Sequence, residues 1–165
     1  LNSLLPGDIY VKEIEQVPDT FHARYHVKAK EYIYRMNLGE YDPIERNYVF
    51  QYNKRLDVVE MERALKYLEG EHDFKGFKAS GTSSKSSVRT IYSTKLYKEN
   101  DRIYIELTGN GFLYNMVRII TGTLVEVGME KIKAEQIPEI MESRDRKLAG
   151  RTLPAHGLCL IKVEY

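Results

Sequence analysis

Residues Asn110 to Gly128 read NGFLYNMVRIITGTLVEVG, and this stretch decides how the chain folds. At helical spacing Phe112, Met116, Ile119, Ile120, Thr123, Leu124 and Val127 share one broad face. Leu113, Val117 and Val125 carry apolar character most of the way round. A helix apolar on nearly all sides is a buried helix. Asn110-Gly111 supplies a turn before it, and Gly128 stands where a left-handed C-cap would end it. Arg118, Asn115 and Glu126 interrupt the apolar run, which is too short to span a membrane.

Arg118 is the anomaly. A guanidinium keeps its charge at any accessible pH, so a buried one needs a carboxylate or phosphate partner. One reading pairs it with an acid elsewhere in the chain. The other sets it beneath a pocket, orienting a catalytic carboxylate or an RNA phosphate. Periodicity does not choose between them.

Outward from this helix the chain alternates element types. A turn at Pro6-Gly7-Asp8 precedes a predicted strand from Ile9 to Val17, and a longer strand follows from Tyr25 to Asn37. On strict alternation His26, Lys28, Lys30, Tyr32, Tyr34 and Met36 share one face of that strand. Lysines interleaved with tyrosines suit RNA, through phosphates and stacked bases. An ordinary strand with buried rings and snorkelling lysines reads the same way. A short strand is expected at Tyr48 to Tyr52. Asp57 N-caps a helix whose stripe is Val58, Met61, Leu65 and Leu68, and Gly70 ends it. Strands Val88 to Tyr97 and Arg102 to Thr108 form a hairpin across Glu99-Asn100-Asp101, with Ile103, Ile105 and Leu107 facing the core. A helix near Ala134 to Arg144 carries Pro138 in its first turn. Pro154 leads into a last strand, Leu158 to Val163. This order predicts an α+β fold: a largely antiparallel or mixed sheet covered by helices on one face.

The 165 residues make one domain's worth of chain, 42% hydrophobic and 30% charged. Net charge is +1, but it is unevenly placed. Four basic residues oppose only Glu31 between Arg24 and Arg35, and seven oppose Glu99 and Asp101 between Lys75 and Arg102. One basic face is enough for a phosphate backbone. The segment ASGTSSKSS, Ala79 to Ser87, is a small polar loop with Lys85 in it and Arg89 just past it. Cys159, the single cysteine, excludes a disulfide framework and falls in an apparent buried strand. His22, His26, His72 and His156 lack ligand spacing, so no metal site is expected. Neither a P-loop nor a dinucleotide fingerprint occurs.

Four segments together carry a family resemblance: FHARYHVKAKEYIYRM (Phe21 to Met36), GEHDFKGFKASG (Gly70 to Gly81), FLYNMVRIITGTLVEVG (Phe112 to Gly128) and PAHGLCLIKVEY (Pro154 to Tyr165). In order and spacing they resemble the tRNA pseudouridine synthase A family across essentially the whole chain. Cys159 and the loop Gly150 to Ala155 depart mildly from the family pattern. The resemblance implies a cytoplasmic, cofactor-free isomerase that converts uridine to pseudouridine in the anticodon stem-loop of tRNA and works as a homodimer. The family's nucleophilic aspartate lies in a G-R-T-D-x-G-V-H-A motif that this sequence does not contain. Residues 1–21 then correspond to the tail of an N-terminal domain and 22–165 to the C-terminal pseudouridine synthase domain, with the missing N-terminal half as a partner. The resemblance puts the pocket tyrosine at Tyr32, the arginine that pairs with the aspartate at Arg118, and the pocket leucine at Leu158. Arg24, Lys28, Lys30, Lys85 and Arg89 are the RNA-binding candidates. Without the aspartate this chain is expected to be inactive alone. The alternative is a non-catalytic RNA-binding module of the same fold.

Overall fold

The computed structural model describes residues 1–81 and 86–165. Its centre is a mixed sheet in which β1 (Ala29–Asn37) runs antiparallel to β5 (Arg102–Gly109). β4 (Val88–Glu99) pairs antiparallel with the other side of β5, and β3 (Gly70–Asp73) closes that edge. β1 also pairs antiparallel with β6 (Leu158–Glu164) along residues 29–34 and, at its end, parallel with the two-residue β2 (Phe50–Gln51). Burial alternates residue by residue along β5, the signature of a sheet with one covered face. Ile103, Ile105 and Leu107 point into the core, as the alternation predicts. The hairpin turns at Asn100, whose left-handed φ of 53° suits asparagine.

Three helices cover the apolar face. α1 (Val58–Lys66) starts at Asp57, whose carboxylate accepts the Glu60 N–H at 3.0 Å. It buries Met61, Ala64 and Leu65. It stops before Gly70, which instead opens β3 with φ 101°. α2 (Met116–Gly128) is the buried helix of the central stretch, and only Arg118 and Glu126 escape full burial. α3 (Ile137–Ser143) follows a 3-10 turn at Ala134–Gln136 and carries Pro138 in its first turn.

Several expectations are corrected. α2 begins at Met116 and not near Asn110, because Asn115 adopts a left-handed φ of 59° that interrupts helical geometry. Gly128 is helical; the left-handed residue is Glu130, φ 61°. The glycine serves packing instead, since a Cβ there would lie 2.7 Å from Met61 Sδ. No strand forms at residues 9–17, where the Val11 backbone is satisfied by the Asn2 side chain and not by a neighbouring strand. β1 starts only at Ala29. Within it Tyr34 and Met36 are wholly buried, so for them the ordinary-strand reading holds. β3 was missed, being too short and polar for an alternation signal. Cys159 is half-exposed on the outer strand β6, not buried.

At Gly122 and Gly150, α2 and the loop before β6 approach backbone to backbone. A Cβ on Gly122 would lie 1.8 Å from the Arg151 carbonyl oxygen, and one on Gly150 would meet the Gly122 carbonyl at 2.5 Å. Two backbones therefore touch without side chains between them. The Gly150 N–H donates to Thr123 Oγ1 at 2.8 Å, and the Leu153 N–H to the Arg118 carbonyl at 3.3 Å. Thr123 Oγ1 in turn donates to the Ile119 carbonyl. This clamp sets where the 149–157 loop sits.

Overpacking a tight interior typically costs about 1–3 kcal/mol, and a backbone obstacle cannot rotate away as a side chain can. Gly122→Ala should therefore lower the melting temperature by several degrees or prevent folding. Gly111→Ala, whose Cβ would meet only the Arg89 side chain at 3.6 Å, should change it little. Equal melting temperatures for both variants and the wild type would show that the clamp is not a packing constraint.

Candidate functional site

Where β1, α2 and the 149–157 loop converge, a cleft of about 480 Å³ opens. Its walls include Tyr32 from β1, Phe112 and Leu113 from the turn before α2, Arg118 from α2, and Leu158 at the start of β6. Arg24 and Arg89 stand at its margin. The structure thus brings Tyr32, Arg118 and Leu158 into one cavity although they are far apart in sequence.

Local geometry explains each position. Asn115 does not cap α2 with its side chain; its Oδ1 accepts from Arg118 Nη1 at 2.9 Å. Arg118 Nε donates to the Leu153 carbonyl at 2.6 Å. The guanidinium is held by two neutral acceptors, and no carboxylate among the described residues pairs with it. Of the two readings of Arg118, the ion pair within the chain is not found among the described residues: Arg118 is half-buried and lines the cleft. Nη2 makes no bond among the described residues. A permanent cation with free donors is fitted to a carboxylate or phosphate brought from outside.

Tyr32 packs edge to face on Phe112, ring centroids 5.2 Å apart at 83°. This contact fixes the ring plane of Tyr32 where it lines the cleft. Burial raises its phenol pKa above the ordinary value, so the hydroxyl is neutral at pH 7. β1 carries a register shift against β6 between Glu31 and Tyr32, and such bulges re-aim side chains. Two residues on, Tyr34 lies under the site and donates to the Pro154 carbonyl at 2.8 Å. Gly157 makes room for its ring: a Cβ there would sit 2.7 Å from Tyr34 Cζ.

The other sequence candidates divide. Arg24, Arg89 and Phe112 continue from the cleft into a side lobe whose wall also includes Lys30. Lys28 is not on either wall; its Nζ reaches the Tyr165 carbonyl at 2.9 Å. Lys85 lies outside the described residues. Asn115 and Phe112 were not foreseen as site residues. An asparagine before a helix ordinarily reads as a cap, and Phe112 as one more core residue. No lining residue of the cleft is an aspartate or glutamate. Among the described residues no group of three or more His, Cys, Asp or Glu could hold a metal ion, and no helix is long and apolar enough to cross a membrane.

An α+β domain with an aromatic, arginine-bearing cleft edged by basic residues has the form of a nucleotide-handling protein. Comparison with known proteins specifies the class. Residues 64–165 match the family described as tRNA pseudouridine synthase. The chain is 49% identical to the tRNA pseudouridine synthase A of Acetivibrio thermocellus over 166 residues, spanning 100% of this chain and 68% of that protein. The protein of the same name from Clostridium acetobutylicum is also 49% identical with the same coverage. That of Anoxybacillus flavithermus is 48% identical, covering 100% of this chain and 67% of its own length. The chain belongs to the tRNA pseudouridine synthase family, a family of isomerases.

Two tyrosines couple the stability of the fold to pH. The raised pKa of Tyr34 comes first from burial, which outweighs the opposing Arg118 and Arg151 charges. An acid whose folded pKa lies above its unfolded value stabilises the fold below the unfolded pKa, here 10.0, and loses that contribution as pH climbs past it. Tyr97, pushed up to about 12 by burial and then by its hydrogen bond to Glu106, acts in the same direction. Stability should therefore fall from about pH 10 upward. Tyr34→Phe should cost about 1–2 kcal/mol at neutral pH through the orphaned Pro154 carbonyl and flatten that alkaline fall. Denaturant midpoints measured between neutral and strongly alkaline pH decide it; an unchanged slope in the variant would refute the assignment.

Proposed function

We propose that this chain forms the uridine-binding cleft of a tRNA pseudouridine synthase acting on the anticodon stem-loop, with the nucleophilic aspartate supplied by a part of the protein outside this chain. The observation that carries the proposal is Arg118: a guanidinium in an open cleft, positioned by Asn115 and the Leu153 carbonyl, with no acid on any wall. The names of the relatives, each a tRNA pseudouridine synthase A, support tRNA as the substrate. Residues 1–21 are read as the tail of a preceding domain and 22–165 as the domain that bears the cleft.

The reaction breaks the bond from ribose C1′ to uracil N1 and makes one from C1′ to C5. A proton leaves C5 and one arrives at N1. The incoming aspartate acts as nucleophile while Arg118 keeps it ionised and oriented. An extruded uracil packs in the cleft against Tyr32, Leu158 and Phe112, as in enzymes that flip bases out of a helix. Burial keeps the Tyr32 phenol neutral, so its hydroxyl works as a relay: it takes the C5 proton while handing its own to solvent at the mouth of the cleft. Arg24, Lys30 and Arg89 receive flanking phosphates. The resemblance to the family further supports a cofactor-free, cytoplasmic homodimer.

Two measurements test this. The purified chain alone should form no pseudouridine in a tRNA transcript, since its cleft holds no carboxylate; turnover by it would overturn the assignment of an external nucleophile. In the full-length protein Arg118→Met should lower kcat by about 10²-fold or more, the scale of removing one preorganised charge-stabilising donor. Stability should change less, because an apolar side chain of similar length can replace a half-buried ion at little cost. Near wild-type turnover by Arg118→Met would return Arg118 to a purely structural role.

A further inference from the structure

A second basic depression of about 780 Å³ lies beside the cleft, between the 73–80 segment and the turn after α3. Lys75, Lys78, Arg144 and Arg146 line it against one carboxylate, Asp73. That carboxylate is already engaged. Its oxygens accept the Lys75 backbone N–H at 3.1 Å and Arg144 Nε at 2.9 Å, and a hydrogen bond from Ser87 helps hold its pKa down. Asp73 thus pairs with Arg144, and no carboxylate among the described residues pairs with Arg146.

Arg146 shows the imbalance most clearly. Its Nη1 donates to the carbonyls of Ala149 and Gly150 at 3.2 and 2.8 Å, and its Nη2 to Thr152 Oγ1 at 3.1 Å. All three acceptors are neutral. Burial lowers its pKa, and no acid among the described residues forms an ion pair with it. Arg144 adds a backbone argument. It ends α3 at φ 55°, a left-handed position where glycine or asparagine would be less strained. Strain kept at a charged side chain aimed into a depression points to a role for that side chain.

Position supplies the rest. The Ala79 N–H donates to the Tyr114 carbonyl at 3.1 Å; Ala79 lines this depression and Tyr114 the cleft. Val88 lines the one and its neighbour Arg89 the other. The two cavities share a wall, so a polynucleotide with one base in the cleft has the second depression beside it.

We infer that the depression lined by Lys75, Arg144 and Arg146 is a phosphate site that grips the RNA backbone a short distance from the nucleotide held in the cleft. The inference rests on the reading of the cleft as a uridine site in tRNA. Its function is register: two anchors fix which nucleotide of a strand reaches Tyr32, where a single pocket would let the strand slide. Lys75 and Arg144 supply charge from the exposed rim. Arg146 supplies a prearranged fork from below, with its flexibility already removed by the 149–152 loop.

The test is tRNA binding by the full-length protein, with affinity measured by fluorescence anisotropy as a function of salt. The double variant Lys75→Gln, Arg144→Gln should lower the slope of log affinity against log salt by about 1–2. Between 50 and 200 mM salt the wild type should then lose about 4- to 16-fold more affinity than the variant. Arg146 is left intact because it ties the loop that shapes the cleft. Lys54→Gln, which borders a different depression, should keep the wild-type slope. An unchanged slope in the double variant, with the wild type still binding tRNA, would overturn the phosphate site and leave the cleft reading standing. A wild type with no affinity for tRNA would overturn both. Inorganic phosphate offered alone should not bind in a Lys75-dependent way at submillimolar concentration; if it does, the site serves a small anion and not an RNA backbone.

Discussion

The contact between α2 and the 149–157 loop governs the rest of this structure. At Gly122 and Gly150 two backbones approach with no side chain between them, and the hydrogen bonds that follow can form only because of that approach. The Gly150 N–H reaches Thr123, the Leu153 N–H reaches the Arg118 carbonyl, and the Leu153 carbonyl receives Arg118 Nε. The loop is thereby fixed to the helix over four residues. It delivers Pro154 over the Tyr34 hydroxyl and Leu158 to the cleft wall. A cleft framed by a packed helix and a strand holds its residues to a fixed geometry, which is what a binding or catalytic constellation needs.

The electrostatics of the cleft follow from that framework. Arg118 sits on the one polar stripe of a helix otherwise buried on all sides. The apolar environment would expel the charge if neutral acceptors and the open cleft did not receive it. Asn115 gives up its usual capping role to supply one acceptor, and does so from a left-handed backbone. The adjoining depression repeats the pattern with Arg146, again a guanidinium held by carbonyls and a hydroxyl without an acid. In both places the chain orders a cation without neutralising it. That arrangement suits an anionic ligand which provides the missing charge when it arrives.

Much of the fold was legible in the residues. The helical run from Met116 to Val127 has no polar face large enough for a surface helix, and it is buried. The alternation Ile103, Ile105, Leu107 can be satisfied only by a strand with one face covered. Asp57 with Glu60 marks a helix start by a local hydrogen bond that depends on nothing remote. Where local pattern failed, a longer-range cause operated. Ile9 to Val17 has strand-like alternation, but a strand needs a hydrogen-bonding neighbour and here has none among the described residues. β3 has no apolar signal because its pairing with β4 is what makes it a strand.

The sequence by itself determined the class of fold, the buried helix, and the oddity of an arginine within it, because periodicity and capping are short-range effects. Its four family motifs also pointed to Tyr32, Arg118 and Leu158. What only the tertiary structure decided is that these three share one cavity, that Arg118 has no acid partner on its walls, and that a second basic depression adjoins it. Those facts depend on contacts between segments more than a hundred residues apart, such as Tyr34 with Pro154. No spacing within either segment encodes a contact of that kind; it arises when the Gly122–Gly150 approach brings the loop down onto the helix.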